Sequence, residues 1–123
     1  MRQRGSPRRS GRLSRVGEQI RRELADILRR EVRDPRVAGI SLTDVEVSPD
    51  YAHAIVFFSC LDASQVPMAS EGLKRAAGFL RSQLARRVTL HATPELRFVY
   101  DESIERGDRL SRLIDGLHEP GGG

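Results

Sequence analysis

The feature that most constrains how this chain folds is a change in the spacing of its apolar residues at Gly39. Before Gly39, most of these residues are three or four positions apart, which is the spacing of one face of an amphipathic helix. They are Val16, Ile20, Leu24, Ile27, Leu28 and Val32. After Gly39, apolar and polar residues alternate, as they do in a half-buried strand. The alternating apolar residues are Ile40, Leu42, Val45 and Val47. The fold must therefore combine helices with a β-sheet.

The ends of these first elements follow from local signals. The helix begins near Leu13 and ends by about Arg33, because Pro35 disfavours helical geometry at the residue before it. The strand alternation slips by one position between Leu42 and Val45, which predicts a β-bulge near Thr43 and Asp44. Beyond it, Ser48-Pro49-Asp50 is a turn signal, and the apolar run over 52–60 predicts a second strand. The two strands form a predicted β-hairpin.

A second helical stripe follows and ends near Arg87. Its members are Met68, Leu73, Ala76, Ala77, Phe79, Leu80, Leu84 and Val88. Gly78 lies within it, and a mid-helix glycine costs about 1 kcal/mol relative to alanine. We therefore expect a kink or a close packing contact at Gly78. Thr93-Pro94 opens a third strand, and the apolar residues of 104–117 predict a weak terminal helix.

The order of elements predicts a two-layer α+β domain with helices on one face of a three-stranded sheet. The helical crossover between the second and third strands favours a parallel pair there, beside the antiparallel hairpin. We expect one domain over residues 13–117, with a disordered arginine-rich tail at 1–12 and a flexible end at 118–123.

The net charge of +4 is unevenly distributed among the 123 residues. The first 15 residues contain no acid and six arginines: Arg2, Arg4, Arg8, Arg9, Arg12 and Arg15. Such a tail is suited to neutralising phosphates, whereas an export or transit signal is disfavoured because no hydrophobic stretch follows it. No apolar run approaches the roughly 20 residues that span a bilayer. With a single cysteine, the sequence predicts a cytoplasmic protein that does not enter a membrane.

Candidate catalytic and metal-binding residues are few. The histidines (His53, His91 and His118) are far apart, and Cys60 lies in an apolar strand, where cysteine is usually a small buried residue. The acids Asp101, Glu102, Glu105 and Asp108 would suit Mg²⁺ or acid–base chemistry. Because Arg106 and Arg109 are interspersed with them, an ion-paired surface is the favoured interpretation. The sequence therefore predicts neither an enzyme nor a bound metal or cofactor.

Basic residues of the second helix are the remaining candidates. Lys74, Arg75 and Arg81 flank Gly78, and Arg86-Arg87 ends the helix. They form either a solvated helix face or an RNA-binding surface. The RNA-binding surface is favoured because these cations are concentrated around a glycine and because the chain also has an arginine tail. Most of the six aromatic residues are needed in the core, so a base-stacking platform is not expected.

Several segments, in order from about Leu13 to Leu113, together resemble the ribosome-binding factor A family, bacterial maturation factors of the small ribosomal subunit. They are Arg12-Leu-Ser-Arg-Val16 with Ile20-Arg-Arg-Glu-Leu24, Glu31-Val-Arg-Asp-Pro-Arg36, Thr43-Asp-Val-Glu-Val-Ser48, Ala76-Ala-Gly-Phe-Leu-Arg81 with Leu84-Ala-Arg86, and Pro94-Glu-Leu-Arg-Phe98 with Tyr100-Asp101.

This resemblance implies a type II KH-like fold with a kinked second helix. An Ala-x-Gly interruption, here Ala76 and Gly78, would replace the usual Gly-x-x-Gly loop. It also implies a monomeric, non-enzymatic factor that binds the free or immature 30S subunit and its 16S RNA. The expected role is late maturation of that RNA, including its 5′ end, with importance for growth in the cold. The expected RNA-binding residues are Arg12, Arg15, Lys74, Arg75, Arg81, Arg86 and Arg87.

Two other functions remain open from the sequence. One is a general KH-like protein that binds other structured RNA, messenger RNA or small RNA. The other is a small ribonuclease that uses His91 or the acids of 101–108, although the sequence shows no convergent catalytic set for it.

Overall fold

In a computed structural model of the chain, residues 11–90 and 92–102 are described. The regular elements are helix α1 (Gly11–Glu31), strand β1 (Ile40–Val47), strand β2 (His53–Cys60), helix α2 (Val66–Arg87) and strand β3 (Glu95–Tyr100). Short 3₁₀ turns at Pro35–Val37 and Ala63–Gln65 precede β1 and α2. Helix α1 begins at Gly11 and therefore includes two residues that the sequence analysis placed in the tail. The predicted terminal helix lies outside the described residues.

The three strands form one mixed sheet in the order β1-β2-β3. β1 and β2 are antiparallel, with Val45 opposite Val56, whereas β2 and β3 are parallel, with Val56 opposite Phe98. The register shifts between Leu42 and Asp44, which leaves Thr43 as the extra residue of a bulge. The predicted hairpin, bulge, parallel pair and α+β fold class are confirmed.

One face of this sheet packs against both helices. Every second residue of β2 is buried, namely Ala54, Val56 and Phe58. Helix α1 lies mainly against β1 and helix α2 mainly against β3. The helices contribute Ile20, Leu24, Ile27, Leu73, Leu80 and Leu84 to the core, all fully buried. The apolar stripes of the sequence therefore form one core between the helical layer and the sheet.

The bulge is held by a buried carboxylate. The Thr43 hydroxyl donates a hydrogen bond to the carboxylate of Asp101, whose backbone N–H donates to the carbonyl of Phe58 at 2.7 Å. Asp101 is only 2% exposed. Asp101, just after β3, is therefore buried, and the expectation of a solvated surface is wrong for this residue. Glu102 is exposed, and Glu105 and Asp108 lie outside the described residues.

Helix α2 is continuous from Val66 to Arg87, so Ala76 and Gly78 lie within one helix and no loop separates two helices there. Gly78 is exposed, and a Cβ added there would meet nothing within 4 Å. The closely packed glycine is Gly72, where an added Cβ would lie 2.9 Å from Val37 Cγ1 and 3.0 Å from Arg36 Cβ. The close approach expected in this helix thus occurs earlier, where α2 crosses the 3₁₀ turn Pro35–Val37.

The 3₁₀ turn itself is fixed by Asp34. Its carboxylate accepts hydrogen bonds from the backbone N–H of Arg36 at 2.9 Å and from the Arg36 guanidinium at 2.6 Å. These bonds lower the pKa of Asp34 from its ordinary 3.8 to about 2. The turn then presents Val37 to Gly72 of α2.

The lowered pKa of Asp34 predicts a contribution to acid stability. A group whose pKa is lower in the folded state stabilises the fold above its ordinary pKa, and this contribution is lost as the pH falls through the folded value. We expect Asp34→Asn to be less stable than the parent at neutral pH and to converge with it as the pH falls from about 4 to about 2. Urea unfolding across this pH range measures the difference, and a constant gap at every pH would contradict the assignment.

Candidate RNA interface

Four predicted cations of helix α2 are exposed, and three of them, Lys74, Arg75 and Arg86, make no strong bond to a described residue. Lys74 and Arg86 are exposed and make no ion pair with any residue in the described ranges. The Nε of Arg75 lies 3.8 Å from the carboxylate of Glu71, and their side chains are 71% and 58% exposed. An exposed pair at this distance is weak. All three cations are therefore available to an external anion.

A groove between α2 and β3 extends this surface. It has a volume of about 370 Å³ and is lined by Ser70, Lys74, Ala77, Leu96, Arg97 and Phe98. Arg97 is exposed on β3 and makes no ion pair with a described residue. The floor is apolar, and Lys74 and Arg97 place one cation on the helix and one on the strand. We call Lys74, Arg75, Arg86 and Arg97 the α2–β3 surface.

Arg97 is not among the RNA-binding residues predicted from the sequence. The signal that identifies it is topological. Arg97 lines the groove because β3 is the edge strand that packs against α2. Its register opposite Ile55 places it on the face of the sheet away from the helices, so it lies at the rim of the groove.

Arg81 is exposed but bonded within the chain. Its Nε and Nη2 donate to the backbone carbonyl of Thr93, at 3.3 Å and 2.9 Å. Thr93 lies just before β3, so Arg81 ties the middle of α2 to the start of that strand. This bond holds one end of the groove in place.

Arg87 joins the two helices. Its Nη1 donates to Glu23 at 3.1 Å and to Asp26 at 2.7 Å, and its Nη2 donates to Glu31 at 2.8 Å. The three carboxylates belong to α1, and they raise the pKa of Arg87 above its ordinary value. The bond to Arg87 is in turn the largest cause that lowers the pKa of Asp26. The structure therefore places Arg87 in an intramolecular network, apart from the α2–β3 surface.

Neighbouring arginines 86 and 87 should therefore differ in their effects. We expect Arg87→Ala to lower the thermal unfolding temperature, because three carboxylates of α1 lose their shared cation. Arg86→Ala is the matched control, since it removes the same side chain from an exposed site without an ion pair to a described residue. Thermal unfolding followed by circular dichroism measures both variants. Equal unfolding temperatures for the two would contradict a structural role for Arg87.

Two of the predicted RNA-binding residues, Arg12 and Arg15, belong to helix α1. Arg12 lies in the first turn of α1, and Arg15 is exposed on the same helix. Arg22, two turns further on, is also exposed. The structure groups the cations of α2 with Arg97, and Arg12 and Arg15 belong to a different element.

Within residues 11–90 and 92–102, no group of three or more histidine, cysteine or acidic side chains is arranged to hold a metal. The Nδ1 of His53 lies 3.6 Å from Glu95 on an exposed surface. Burial raises the pKa of the Cys60 thiol, which disfavours the reactive thiolate. None of the described helices is long and apolar enough to cross a membrane. His91 and His118 lie outside the described residues.

Comparison with known proteins connects this geometry to a family. The sequence profile of the ribosome-binding factor A family matches residues 12–114. The chain belongs to this family. A ribosome-binding factor A from Azoarcus sp. (strain BH72) is 61% identical over 110 residues, which cover 89% of this chain and 87% of the relative. The resemblance found in the sequence is thus confirmed.

Solved structures of ribosome-binding factor A share the fold. The crystal structure of the Thermus thermophilus protein superimposes with a TM-score of 0.65 at 27% identity, covering 72% of this chain and 94% of that one. A homology model of the Thermus thermophilus protein, fitted into a cryo-EM map of its complex with the 30S subunit, gives a TM-score of 0.57 at 27% identity. It covers 70% of this chain and 91% of that one. The chain is therefore similar to a protein that has been placed on a ribosomal subunit.

Proposed function

We propose that this chain binds the free or immature 30S subunit through the α2–β3 surface and assists late maturation of 16S RNA, including its 5′ end. The observation that carries the proposal is the set of exposed cations on α2 and β3: Lys74, Arg75, Arg86 and Arg97. Family membership and the 30S complex of the Thermus thermophilus relative support the small subunit as the target.

The physical basis of binding is neutralisation of RNA phosphates. Each phosphate contact releases condensed counterions, so four contacts would give a log–log salt dependence with a slope of about −3 to −4. Exposed Lys and Arg side chains supply this attraction without sequence preference, and the shape of the subunit supplies selectivity. The affinity should therefore fall steeply as salt rises.

We further propose that the chain acts without catalysis, as a cytoplasmic monomer without a cofactor or small-molecule substrate. Support comes from the described side chains, which offer cations and a shallow groove and no convergent acid, base and nucleophile. Its contribution to maturation is to bind RNA in one arrangement and so favour that arrangement over others. The arginine tail and Arg15 would add electrostatic attraction to the same target.

Sedimentation with 30S subunits, 50S subunits and 70S ribosomes in moderate salt tests the proposal. We expect the chain to sediment with free 30S particles and to remain in the supernatant with the other two. Equal sedimentation with all three would indicate non-specific attraction. Binding to naked RNA as tightly as to 30S subunits would instead favour the general RNA-binding function.

The maturation role requires a separate readout. Cells depleted of the protein should accumulate 16S RNA with unprocessed 5′ ends, measured by primer extension, and the effect should be larger in the cold. Incubation of the purified protein with precursor RNA and Mg²⁺ should leave the RNA intact. Cleavage in that incubation would overturn the non-enzymatic proposal.

A further inference from the structure

Phe79 is an exposed aromatic residue in the middle of helix α2. Its side chain is 43% exposed, although the helical stripe of the sequence placed it in the core. The next residue, Leu80, is fully buried. Because adjacent helix positions point about 100° apart, Phe79 lies at the margin of the buried face and turns toward solvent. Packing in the core therefore does not explain why a phenylalanine occupies this partly exposed position.

The immediate surroundings of Phe79 are small, polar or cationic. Residues three and four positions away are neighbours on a helix surface, and here they are Ala76, Arg75, Ser82 and Gln83. Arg86 lies two turns further along the same side. Among the described residues, the ring of Phe79 makes no contact with another aromatic ring. The side chains that border the ring on the solvent side thus include a cation and small or polar groups.

Gly78 adds a second observation. An exposed glycine within a helix costs about 1 kcal/mol, and neither packing nor a left-handed backbone explains this one. The helix surface is open there, with nothing within 4 Å of the position that a Cβ would take. A ligand can therefore approach the helix closely at this point.

We propose that Phe79 stacks against an unpaired base of the RNA while Arg75 and Arg86 bind neighbouring phosphates. The inference rests on the proposed function and names the RNA chemistry that this part of the surface recognises. Aromatic side chains on which bases stack, set within a basic surface, are the usual means of binding single-stranded RNA.

The surroundings favour a base over an apolar pocket of a partner protein. The centre of a protein interface is a contiguous, desolvated apolar patch. The helix neighbours of Phe79, which are Ala76, Arg75, Ser82 and Gln83, include no large apolar side chain. The other exposed large apolar residue of α2 is Met68, which is 59% exposed and lies about three turns, or ~16 Å, earlier in the helix.

Substitutions at Phe79 test the proposal through 30S binding. Stacking contributes about 1–3 kcal/mol per base, so Phe79→Ala should weaken binding by about 5-fold to about 150-fold. Phe79→Leu should weaken 30S binding to a similar extent, because leucine lacks a ring although it keeps most of the apolar volume. Phe79→Tyr should bind within about twofold of the parent, since the ring is retained. Met68→Ala is the matched control and should bind as the parent does.

A spectroscopic test uses the absence of tryptophan from the chain. Phe79→Trp introduces a single reporter, and stacking on a base should quench its emission when 30S subunits are added. Met68→Trp is the control and should keep its emission. Quenching at position 79 together with tight binding would support stacking.

The outcomes separate this inference from the proposed function. If the parent chain fails to bind 30S subunits, the proposed function fails. If the parent binds and Phe79→Ala binds equally well with unquenched Phe79→Trp, only the stacking inference is overturned. Parent-like binding by Phe79→Leu with loss in Phe79→Ala would indicate an apolar protein pocket and would also overturn it. Circular dichroism confirms that each variant is folded.

Discussion

Reversing the charges of Lys74 and Arg86 together should weaken binding to 30S subunits by about 100-fold or more, because a hydrogen bond to a charged group contributes about 1.5–3 kcal/mol. Both side chains are exposed and make no ion pair with a described residue, so Lys74→Glu with Arg86→Glu should leave the fold intact. The log–log slope of affinity against salt should also become shallower, because roughly two phosphate contacts are lost. Equilibrium binding of a labelled chain to 30S subunits at several salt concentrations measures both effects.

The matched control for this pair lies outside the α2–β3 surface. Arg22 in α1 and Arg33 after it are also exposed and make no ion pair with a described residue. Arg22→Glu with Arg33→Glu changes the net charge by the same amount. A much smaller loss of affinity in this control would locate binding on α2. Equal losses in the two double variants would mean that overall charge alone drives association, and the α2–β3 surface would be rejected.

Adding one methyl group to α2 should have opposite effects at its two central glycines. We expect Gly72→Ala to destabilise the fold, because its Cβ would lie 2.9 Å from Val37 Cγ1 and 3.0 Å from Arg36 Cβ. Overpacking of this kind costs about 1–3 kcal/mol, whereas the higher helix propensity of alanine stabilises the fold by at most about 1 kcal/mol. Gly78→Ala should gain up to about 1 kcal/mol, since its Cβ meets nothing within 4 Å.

Urea unfolding of the two variants measures both changes in the free energy of unfolding, and each variant controls for the other. The helix is the same and the added group is the same, so a difference in sign reports the packing of α2 against the 3₁₀ turn. Destabilisation by Gly78→Ala would instead show that Gly78 is strained or packed, as the sequence first suggested. Stabilisation by both variants would contradict the close contact between Gly72 and Val37.

The main elements of the fold could be predicted because each leaves a local pattern. The change of apolar spacing at Gly39 separates helix from strand, and the slipped alternation at Thr43 locates the bulge. The parallel pair follows from the length of the crossover. The packing of the glycines could not be predicted, because a glycine costs the helix the same at position 72 as at 78. Only the tertiary position of Val37 distinguishes them.

The candidate site was harder to predict from the sequence for the same reason. Lys74 and Arg81 look equivalent along the helix, yet Arg81 bonds to the carbonyl of Thr93. Arg86 and Arg87 are adjacent, yet only Arg87 faces the acids of α1. Phe79 was assigned to the core because a helical stripe gives the direction of the buried face but not its width. Which cations remain available depends on partners that are distant in the sequence.

A cryo-EM structure of this chain on the 30S subunit would show which face of the domain binds RNA. We expect the outward side of α2 and the groove with β3 to lie against RNA, with Lys74, Arg86 and Arg97 within reach of phosphates and an unpaired base stacked on Phe79. A complex in which this side of α2 points into solvent, while another face of the domain contacts the subunit, would contradict it.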